Sequence, residues 1–162
     1  MLKSGLPPIA AANTRLFILG SLPGEKSLSD GRYYAHPTNQ FWRLVGSAIG
    51  EDLQLLPYKE RLAVLSRRGI GLWDVVSAAR REGSQDAAIR DARHNPIGEL
   101  HKEYPQLQAI FFNGGRAAKD GRKLLAAAEG IELYDLTSSS GLAGIPYEVK
   151  RAQWQLIARH LK

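Results

Sequence analysis

The sequence predicts an α/β fold of three layers, α/β/α, with a central four-stranded, mainly parallel sheet. Short apolar runs alternate along the chain with longer amphipathic segments, which is the pattern of strands connected by helices. The run at residues 15–20, Arg-Leu-Phe-Ile-Leu-Gly, is almost wholly apolar, as in a strand that is buried on both faces. No repeat, low-complexity tract or linker divides the 162 residues, so we expect a single domain over residues 1–162.

Each element follows from a local pattern. The strand predictions rest on short apolar runs and lie at residues 15–20, 71–76, 107–112 and 131–136. The helix predictions rest on apolar residues at helical spacing and lie at residues 41–49, 57–68, 116–128 and 147–161. Pro57 suits the first turn of its helix. Segment 86–104 is polar and is expected to be partly helical, with a break at Asn95-Pro96, and residues 137–144 form a Ser/Gly loop.

Composition excludes several kinds of site. The chain contains no cysteine, which excludes a disulfide scaffold, a cysteine-ligated metal site and a thiol nucleophile. Its formal charge of +6 favours a polyanionic partner, because neutralising phosphates releases counterions. No apolar run is long enough to span a membrane, and no secretory signal is visible at the N-terminus. We therefore expect a cytoplasmic monomer that uses no metal and no cofactor.

The exit of the first strand carries an unusual concentration of functional groups. Ligand sites in open parallel sheets lie beyond the carboxyl ends of the strands. The turn 20–24, Gly-Ser-Leu-Pro-Gly, can point its amides at an anion or a base, although an ordinary connecting turn would look the same. The loop that follows contains two tyrosines, His36 and Asn39 just ahead of a helix. Asn39 can hold or polarise a water, or it can cap the helix; both can be true.

The other strand exits carry weaker signals. Arg80 and Arg81 are natural phosphate contacts, or they form a solvated basic turn. Asn113 is followed by two glycines, which suits recognition of a planar ring as well as a simple turn. The late Ser/Gly loop can pack against a phosphate backbone, with Leu142 as an apolar wedge. A nucleophilic serine is a further option, but the flanking glycines of a nucleophile elbow are missing.

Two segments, GSLPG and YYAHPTNQFW, resemble the uracil-DNA glycosylase superfamily, most nearly its hypoxanthine-DNA glycosylase branch and less nearly the mismatch-specific uracil/thymine branch. The segments GLWDVV, GSQDAAI and FFNGGRAA and the late serine-rich loop follow in the family's order, so the resemblance covers nearly the whole chain. It implies a uracil-DNA glycosylase-like fold and an enzyme that flips a deaminated base out of DNA and hydrolyses its N-glycosidic bond to leave an abasic site. Such an enzyme initiates base excision repair.

The resemblance and the strand exits together assign three groups of site residues. The catalytic group is Asn39, His36 and Ser21. The base-binding group is Gly20, Leu22, Pro23, Gly24, Tyr34, Phe41 and Asn113. The DNA-binding group is Lys26, Arg80, Arg81, Ser138, Ser139, Ser140, Gly141 and Leu142, within an inserting loop that extends to Gly144. His36 either donates a hydrogen bond to the leaving base or is neutral and structural.

The chain departs from the family pattern at two places. The mismatch-specific branch has an asparagine in its first motif where this chain has Leu22, so the water-positioning role moves to Asn39. The late loop reads TSSSGLAG rather than the Ser-Pro-Ala-Asn type of the hypoxanthine branch, which leaves the identity of the wedge and the substrate range open. Lys26 is the only lysine near the first motif, so we expect a monofunctional enzyme without a Schiff base.

Substrate class follows from the chemistry of Asn113. An amide can accept a ring N–H and donate to the neighbouring carbonyl, which uracil and hypoxanthine both offer and cytosine and adenine reverse. The expected partner is double-stranded DNA that contains a deaminated base, with single-stranded DNA as a further option. Two alternatives stay open: a nucleic-acid-binding α/β module without catalysis, and a small-molecule hydrolase that uses a serine of the late loop.

Overall fold

The computed structural model describes residues 2–142 and 144–161, which form seven strands and seven α-helices. The strands are β1 (Leu2–Ser4), β2 (Leu16–Gly20), β3 (Ile70–Asp74), β4 (Val76–Arg80), β5 (Arg90–His94), β6 (Ala109–Asn113) and β7 (Glu132–Leu136). The α-helices are α1 (Glu25–Asp30), α2 (Phe41–Ile49), α3 (Tyr58–Arg68), α4 (Leu100–Glu103), α5 (Gly115–Leu124), α6 (Tyr147–Trp154) and α7 (Leu156–Arg159). Three single 3₁₀ turns lie at Leu53–Leu55, Asp86–Ala88 and Ile97–Glu99.

Four parallel strands form the central sheet in the order β3-β2-β6-β7. All five residues of β2 and of β6 are buried, as expected for the inner strands of a sheet that is covered on both faces. Side chains alternate along β2: Leu16 and Ile18 face a core built with α2, α3, α6 and α7, and Phe17 and Leu19 face one built with α4 and α5. The predicted three-layer α/β/α fold is confirmed.

A second sheet, which the sequence analysis did not predict, lies beside the first. It has three antiparallel strands in the order β1-β4-β5. The chain leaves β3 at Asp74 and begins β4 at Val76, so the predicted strand 71–76 is in fact two strands in different sheets. The prediction that segment 86–104 is polar and partly helical holds for its 3₁₀ turns and α4, but Arg90–His94 is a strand. Its charged residues carry no apolar alternation that would have revealed it.

The remaining differences concern the ends of helices. The predicted helix 116–128 ends at Leu124, and the predicted helix 147–161 is interrupted at Gln155 between α6 and α7. Helix α1 was not predicted, because its six residues follow directly on the Gly-Ser-Leu-Pro-Gly turn. Among residues 2–142 and 144–161, no helix has both the length and the apolar character needed to cross a bilayer.

Candidate active site

The candidate site lies at the edge where the four parallel strands end. Gly20, Asp74, Asn113 and Leu136 are the last residues of β2, β3, β6 and β7. The loop before α2 and the late Ser/Gly loop meet at this edge, where the Gln40 N–H donates to the Ser139 carbonyl at 2.8 Å. The two loops that the sequence analysis singled out are therefore neighbours in space.

Gly20 stands against two polar side chains. It pairs with Asp74 across the sheet, and its carbonyl accepts the Val75 N–H at 2.8 Å. A Cβ atom at Gly20 would lie 2.6 Å from Asp74 Oδ1 and 3.0 Å from the Tyr34 hydroxyl. Real Cβ atoms do not approach a carboxylate oxygen so closely, so glycine is needed here to bring the backbone against these two groups.

Asp74 is a buried carboxylic acid whose importance the sequence analysis missed. Its side chain is 4% exposed, and among the described residues Oδ2 has no hydrogen-bond partner. Burial raises its pKa to about 7; the Asp86 carboxylate adds to this, and the Arg81 guanidinium opposes it. A perturbed acid at a strand exit is a feature of functional sites. The sequence signal was a single acid within the apolar run GLWDVV.

Tyr34 forms an aromatic wall of the site. It has a left-handed backbone with φ of 55°, which is uncommon for a residue other than glycine. Its ring stacks on Phe41, with ring centres 3.8 Å apart and an angle of 12° between the planes. Burial raises the pKa of its hydroxyl, and the Asp74 carboxylate adds to the shift. The hydroxyl has no hydrogen-bond partner within the described part of the chain; Asn113 is near enough to lower the pKa partly, but makes no bond to it.

Asn39, Ser139 and Asn113 form one hydrogen-bond network. The Ser139 N–H donates to Asn113 Oδ1 at 2.9 Å, and Asn113 Nδ2 donates to the Ser139 hydroxyl at 2.8 Å. That hydroxyl donates in turn to Asn39 Oδ1 at 2.8 Å, which also accepts the Phe41 N–H at 2.9 Å. Asn39 therefore does bond the first turn of α2, which was one of the two options for it; its catalytic role stays a prediction.

His36 is exposed at the rim of the site. Its Nδ1 accepts the Thr38 N–H at 3.1 Å and lies 2.9 Å from the Thr38 hydroxyl. Because Nδ1 accepts, the ring hydrogen on Nε2 remains available as a donor, so both options for His36 stay open.

The first turn, residues 20–24, is held from behind by the second sheet and its loops. Arg81 follows β4 and donates to the carbonyls of Leu22, at 3.4 Å, and Pro23. The Ser21 hydroxyl donates to the Asp86 carboxylate, and the Glu25 N–H donates to the Ser84 hydroxyl at 2.9 Å. These contacts fix the path of the turn.

Several predicted roles have to be corrected on this geometry. Arg81 is 5% exposed and bonded to two carbonyls, so it does not reach a DNA phosphate. The Ser21 hydroxyl is committed to Asp86, and the Leu22 side chain packs against β4 rather than into the site. Phe41 is fully buried and supports Tyr34 from behind, so it is not positioned to touch a base.

The late loop has a buried part and an exposed part. Ser139 is 1% exposed, so it belongs to the amide network and is not the DNA contact that was predicted. Gly141 lies against the Thr38 backbone, and Leu142 is 76% exposed. Ser138 and Ser140 accept the N–H groups of Ser140 and Leu142 with their hydroxyls, at 3.1 and 3.2 Å. Ala143, within the predicted inserting loop, lies outside the described residues.

Lys150 of α6 supports this loop and was missed by the sequence analysis. Its ammonium group is buried and donates to Gln40 Oε1 at 2.8 Å and to the Ser140 carbonyl at 3.0 Å. Burial lowers its pKa. The neighbouring Val149 is 57% exposed, so the amphipathic pattern of α6 did not mark position 150 as buried.

The remaining predicted DNA contacts lie on the surface. Lys26 pairs with Asp30 at 3.2 Å, and Arg80 pairs with Asp91 at 3.4 Å. Both cations are exposed and remain available to a phosphate backbone. No group of three potential metal-ligating side chains occurs within residues 2–142 and 144–161.

Comparison with known proteins shows a consistent family. A family model described as the uracil DNA glycosylase superfamily matches residues 7–161. The chain is 43% identical to a protein named hypoxanthine DNA glycosylase from Methanosarcina barkeri, over 95% of this chain and 96% of that protein. It is 42% identical to one of the same name from Methanosarcina acetivorans, over 99% and 100%. A solution NMR structure from Methanosarcina acetivorans, provisionally described as a uracil DNA glycosylase, superposes with a TM-score of 0.88 at 42% identity, over 99% of both chains.

Proposed function

Since the chain belongs to the uracil DNA glycosylase superfamily, we propose that it removes hypoxanthine and uracil from DNA by hydrolysing the N-glycosidic bond. It is a DNA glycosylase; the proposal concerns which bases it takes and which residues act on them. The observation that carries the proposal is the pair of asparagines, Asn39 and Asn113, joined by Ser139 beside the Tyr34 ring at the strand exits.

Base recognition is assigned to Asn113 and Tyr34. Ser139 uses one lone pair of Asn113 Oδ1 and one hydrogen of Nδ2, which leaves one lone pair and one hydrogen for a base. Uracil and hypoxanthine offer a ring N–H and a carbonyl to such a group. Cytosine and adenine reverse the pattern, and each buried polar group left unpaired then costs about 1–3 kcal/mol. The Tyr34 ring supplies a flat surface at the same edge.

Bond cleavage needs a positioned water and stabilisation of the departing base, which carries negative charge. Asn39 has its Oδ1 occupied by two donors, so it offers hydrogen-bond donation from Nδ2. A donor can hold the water by its oxygen or stabilise the leaving base. Preorganised donors of this kind are the main source of catalysis where charge develops in the transition state.

A monofunctional reaction fits the state of the neighbouring lysines. Lys26 is exposed and paired with Asp30, and Lys150 donates to two carbonyl oxygens while it is buried. A Schiff-base mechanism requires a free amine in contact with the sugar. We therefore expect base release without strand cleavage by the enzyme, from a monomer that acts on duplex DNA.

The proposal is tested by incubating the protein with duplexes that contain hypoxanthine, uracil, xanthine or a mismatched thymine, and with the matching single strands. Alkali then cleaves each abasic site that has formed. We expect product from hypoxanthine and uracil, and none before alkali treatment. Binding of these duplexes without any product would favour the non-catalytic module. Ester hydrolysis that a Ser140→Ala change abolishes would favour the serine hydrolase.

A specificity test separates recognition from chemistry. Asn113→Asp replaces the donor Nδ2 by an acceptor, which cannot donate to the carbonyl of uracil or hypoxanthine. We expect a loss of base release from both, measured under single-turnover conditions. Unchanged rates and unchanged preference over cytosine would contradict the base-reading role of Asn113.

A further inference from the structure

The hydrogen-bond directions in the amide network are fixed by two backbone donors. A backbone N–H can only donate, so the atom of Asn39 that faces the Phe41 N–H is Oδ1. By the same argument the Ser139 N–H identifies Asn113 Oδ1, and the other amide atom, Nδ2, therefore faces the Ser139 hydroxyl and donates to it. The single hydrogen of that hydroxyl is then left for Asn39 Oδ1, 2.8 Å away.

This chain of donors gives Asn39 a defined polarity. Both lone pairs of its Oδ1 are used, one by the Phe41 N–H and one by the Ser139 hydroxyl. Its carbonyl can accept no third hydrogen bond, so the group that it presents to the reacting atoms is the Nδ2 amide NH₂. The Phe41 N–H lies at the start of α2, where the positive end of the helix dipole adds to the polarisation of the amide.

Ser139 is well placed to impose this polarity. It is 1% exposed, and its own carbonyl accepts the Gln40 N–H at 2.8 Å, which ties its backbone to the loop that carries Asn39. The adjacent carbonyl of Ser140 accepts the buried Lys150 ammonium at 3.0 Å. Serine hydroxyls normally rotate freely between partners, but this one has a donor on one side and an acceptor on the other.

We propose that Ser139 is a positioning residue that couples base reading to catalysis: it holds Asn113 by two hydrogen bonds and directs its hydroxyl to Asn39 Oδ1, so that Asn39 acts only as a donor. The inference rests on the proposed function and assigns to Ser139 a role other than contact with the DNA backbone. It also predicts that the two asparagines do not act independently.

The first test is a double-mutant cycle on single-turnover base release from a hypoxanthine duplex. Ser139→Ala should lower the rate about 10- to 100-fold, less than the loss of about 10²-fold or more for a donor at the reacting atoms, because Ser139 acts through Asn39. The Kd for the duplex should change less than about threefold. In an Asn39→Ala background the same change should cost at least about threefold less, because the part of its effect that passes through Asn39 is already lost and only its hold on Asn113 remains. Equal losses in both backgrounds, or no loss in either, would overturn the proposal.

The donor role of Asn39 has its own test. Asn39→Asp keeps an acceptor for Phe41 and Ser139 but presents a carboxylate oxygen to the site in place of the amide NH₂ donor. We expect Asn39→Asp to be about as inactive as Asn39→Ala across pH 5–9. Activity restored by the carboxylate, with a rate that rises as it ionises, would mean that Asn39 accepts a hydrogen bond from water and that the inferred polarity is wrong.

Two controls separate the network from general effects on folding. Ser47→Ala removes a hydroxyl that accepts bonds from Arg151 at 2.9 Å and Gln155 at 3.2 Å, between α2 and the C-terminal helices, and it should leave the rate unchanged. Hydrogen exchange of the Asn113 side-chain amide NH₂, followed by NMR without DNA, should be faster in Ser139→Ala than in the unaltered protein. Identical exchange would overturn the network, whereas an unaltered protein that releases no base would overturn the proposed function instead.

Discussion

The two loops that enclose the site are held in different ways. The first turn, residues 20–24, is held from behind by charged side chains: Arg81 bonds two of its carbonyls and Asp86 accepts the Ser21 hydroxyl. The late loop, residues 137–144, is held on its inner side mainly by the neutral groups of Asn39 and Asn113 through Ser139, with one cation, Lys150, at the Ser140 carbonyl. Both loops follow strands of the same parallel sheet.

The difference separates scaffold from chemistry. Arg81 and Asp86 use their charges to shape the first turn, which presents its backbone to a ligand. The late loop brings the hydrogen-bonded groups of Ser139 to the two asparagines of the site and leaves Leu142 exposed at its tip. We call Arg81 and Asp86 the charged clamp of the first turn. We expect changes in this charged clamp to lower both the stability and the rate of base release, and changes in the late loop to lower only the rate or the affinity for DNA.

Arg81→Met is expected to lower the stability of the protein most. Loss of the guanidinium leaves the carbonyls of Leu22 and Pro23 without their donor, and we expect about 2–4 kcal/mol lower stability with at least about tenfold slower base release. The matched variant is Arg80→Met, one residue earlier and exposed. It should stay within about 0.5 kcal/mol in stability and only weaken DNA binding.

Denaturant unfolding and DNA binding at several salt concentrations measure both variants. Loss of a phosphate contact reduces the salt dependence of binding by about one ion, which we expect for Arg80→Met alone. If Arg81→Met kept normal stability and showed the same reduced salt dependence of DNA binding, Arg81 would not act in the charged clamp, and the original prediction that it contacts a phosphate would be right.

Leu142→Ala tests the exposed part of the late loop. An apolar wedge helps to unstack a base pair, which costs a few kcal/mol in duplex DNA and much less in a single strand. We expect base release to fall about three- to tenfold on duplex DNA, with no change on single strands. Leu55→Ala is the control, since Leu55 is 79% exposed on the connection between α2 and α3. Equal effects of Leu142→Ala on both substrates would rule out the wedge.

Asp74 lies beneath the first turn and makes the stability of the protein depend on pH. The folded-state pKa of Asp74, about 7, lies above the ordinary aspartate value of about 4. The contribution of its protonated side chain to the free energy of unfolding is therefore fully present below pH 4 and is lost as the pH rises through 7. Asp74→Asn resembles the protonated form. We expect the stability of this variant to rise relative to the unaltered protein between pH 4.5 and pH 8, by on the order of 1–4 kcal/mol. A difference that is constant over this range would show an ordinary pKa for Asp74.

Much of the fold could be predicted because its central strands are buried on both faces. Continuous apolar runs such as β2 and β6 carry this information directly. The second sheet could not be predicted, because β5 is short, charged and exposed, and its pairing with β4 depends on contacts remote in sequence. Its position matters for function, since Arg81 and Asp86 reach the first turn from it and its connecting loops.

The site was predictable in its outline but not in the role of each residue. The motifs placed Asn39, Asn113, Tyr34 and the two loops at one edge, where the structure has them. Three consecutive serines, however, look alike in the sequence, and only the fold shows that Ser139 is buried between two asparagines. Two consecutive arginines likewise gave no sign that one is exposed and the other buried.

The catalytic role of the amide network is measured by the rate of base release by Asn39→Ala, compared with the unaltered protein on the same hypoxanthine duplex under single-turnover conditions. The Kd for the duplex is measured alongside. We expect a loss of about 10²-fold or more with the Kd nearly unchanged, because one preorganised polar group at the reacting centre is removed. Base release at nearly the normal rate would contradict this role, since the amide network at the strand exits would then not carry the chemistry.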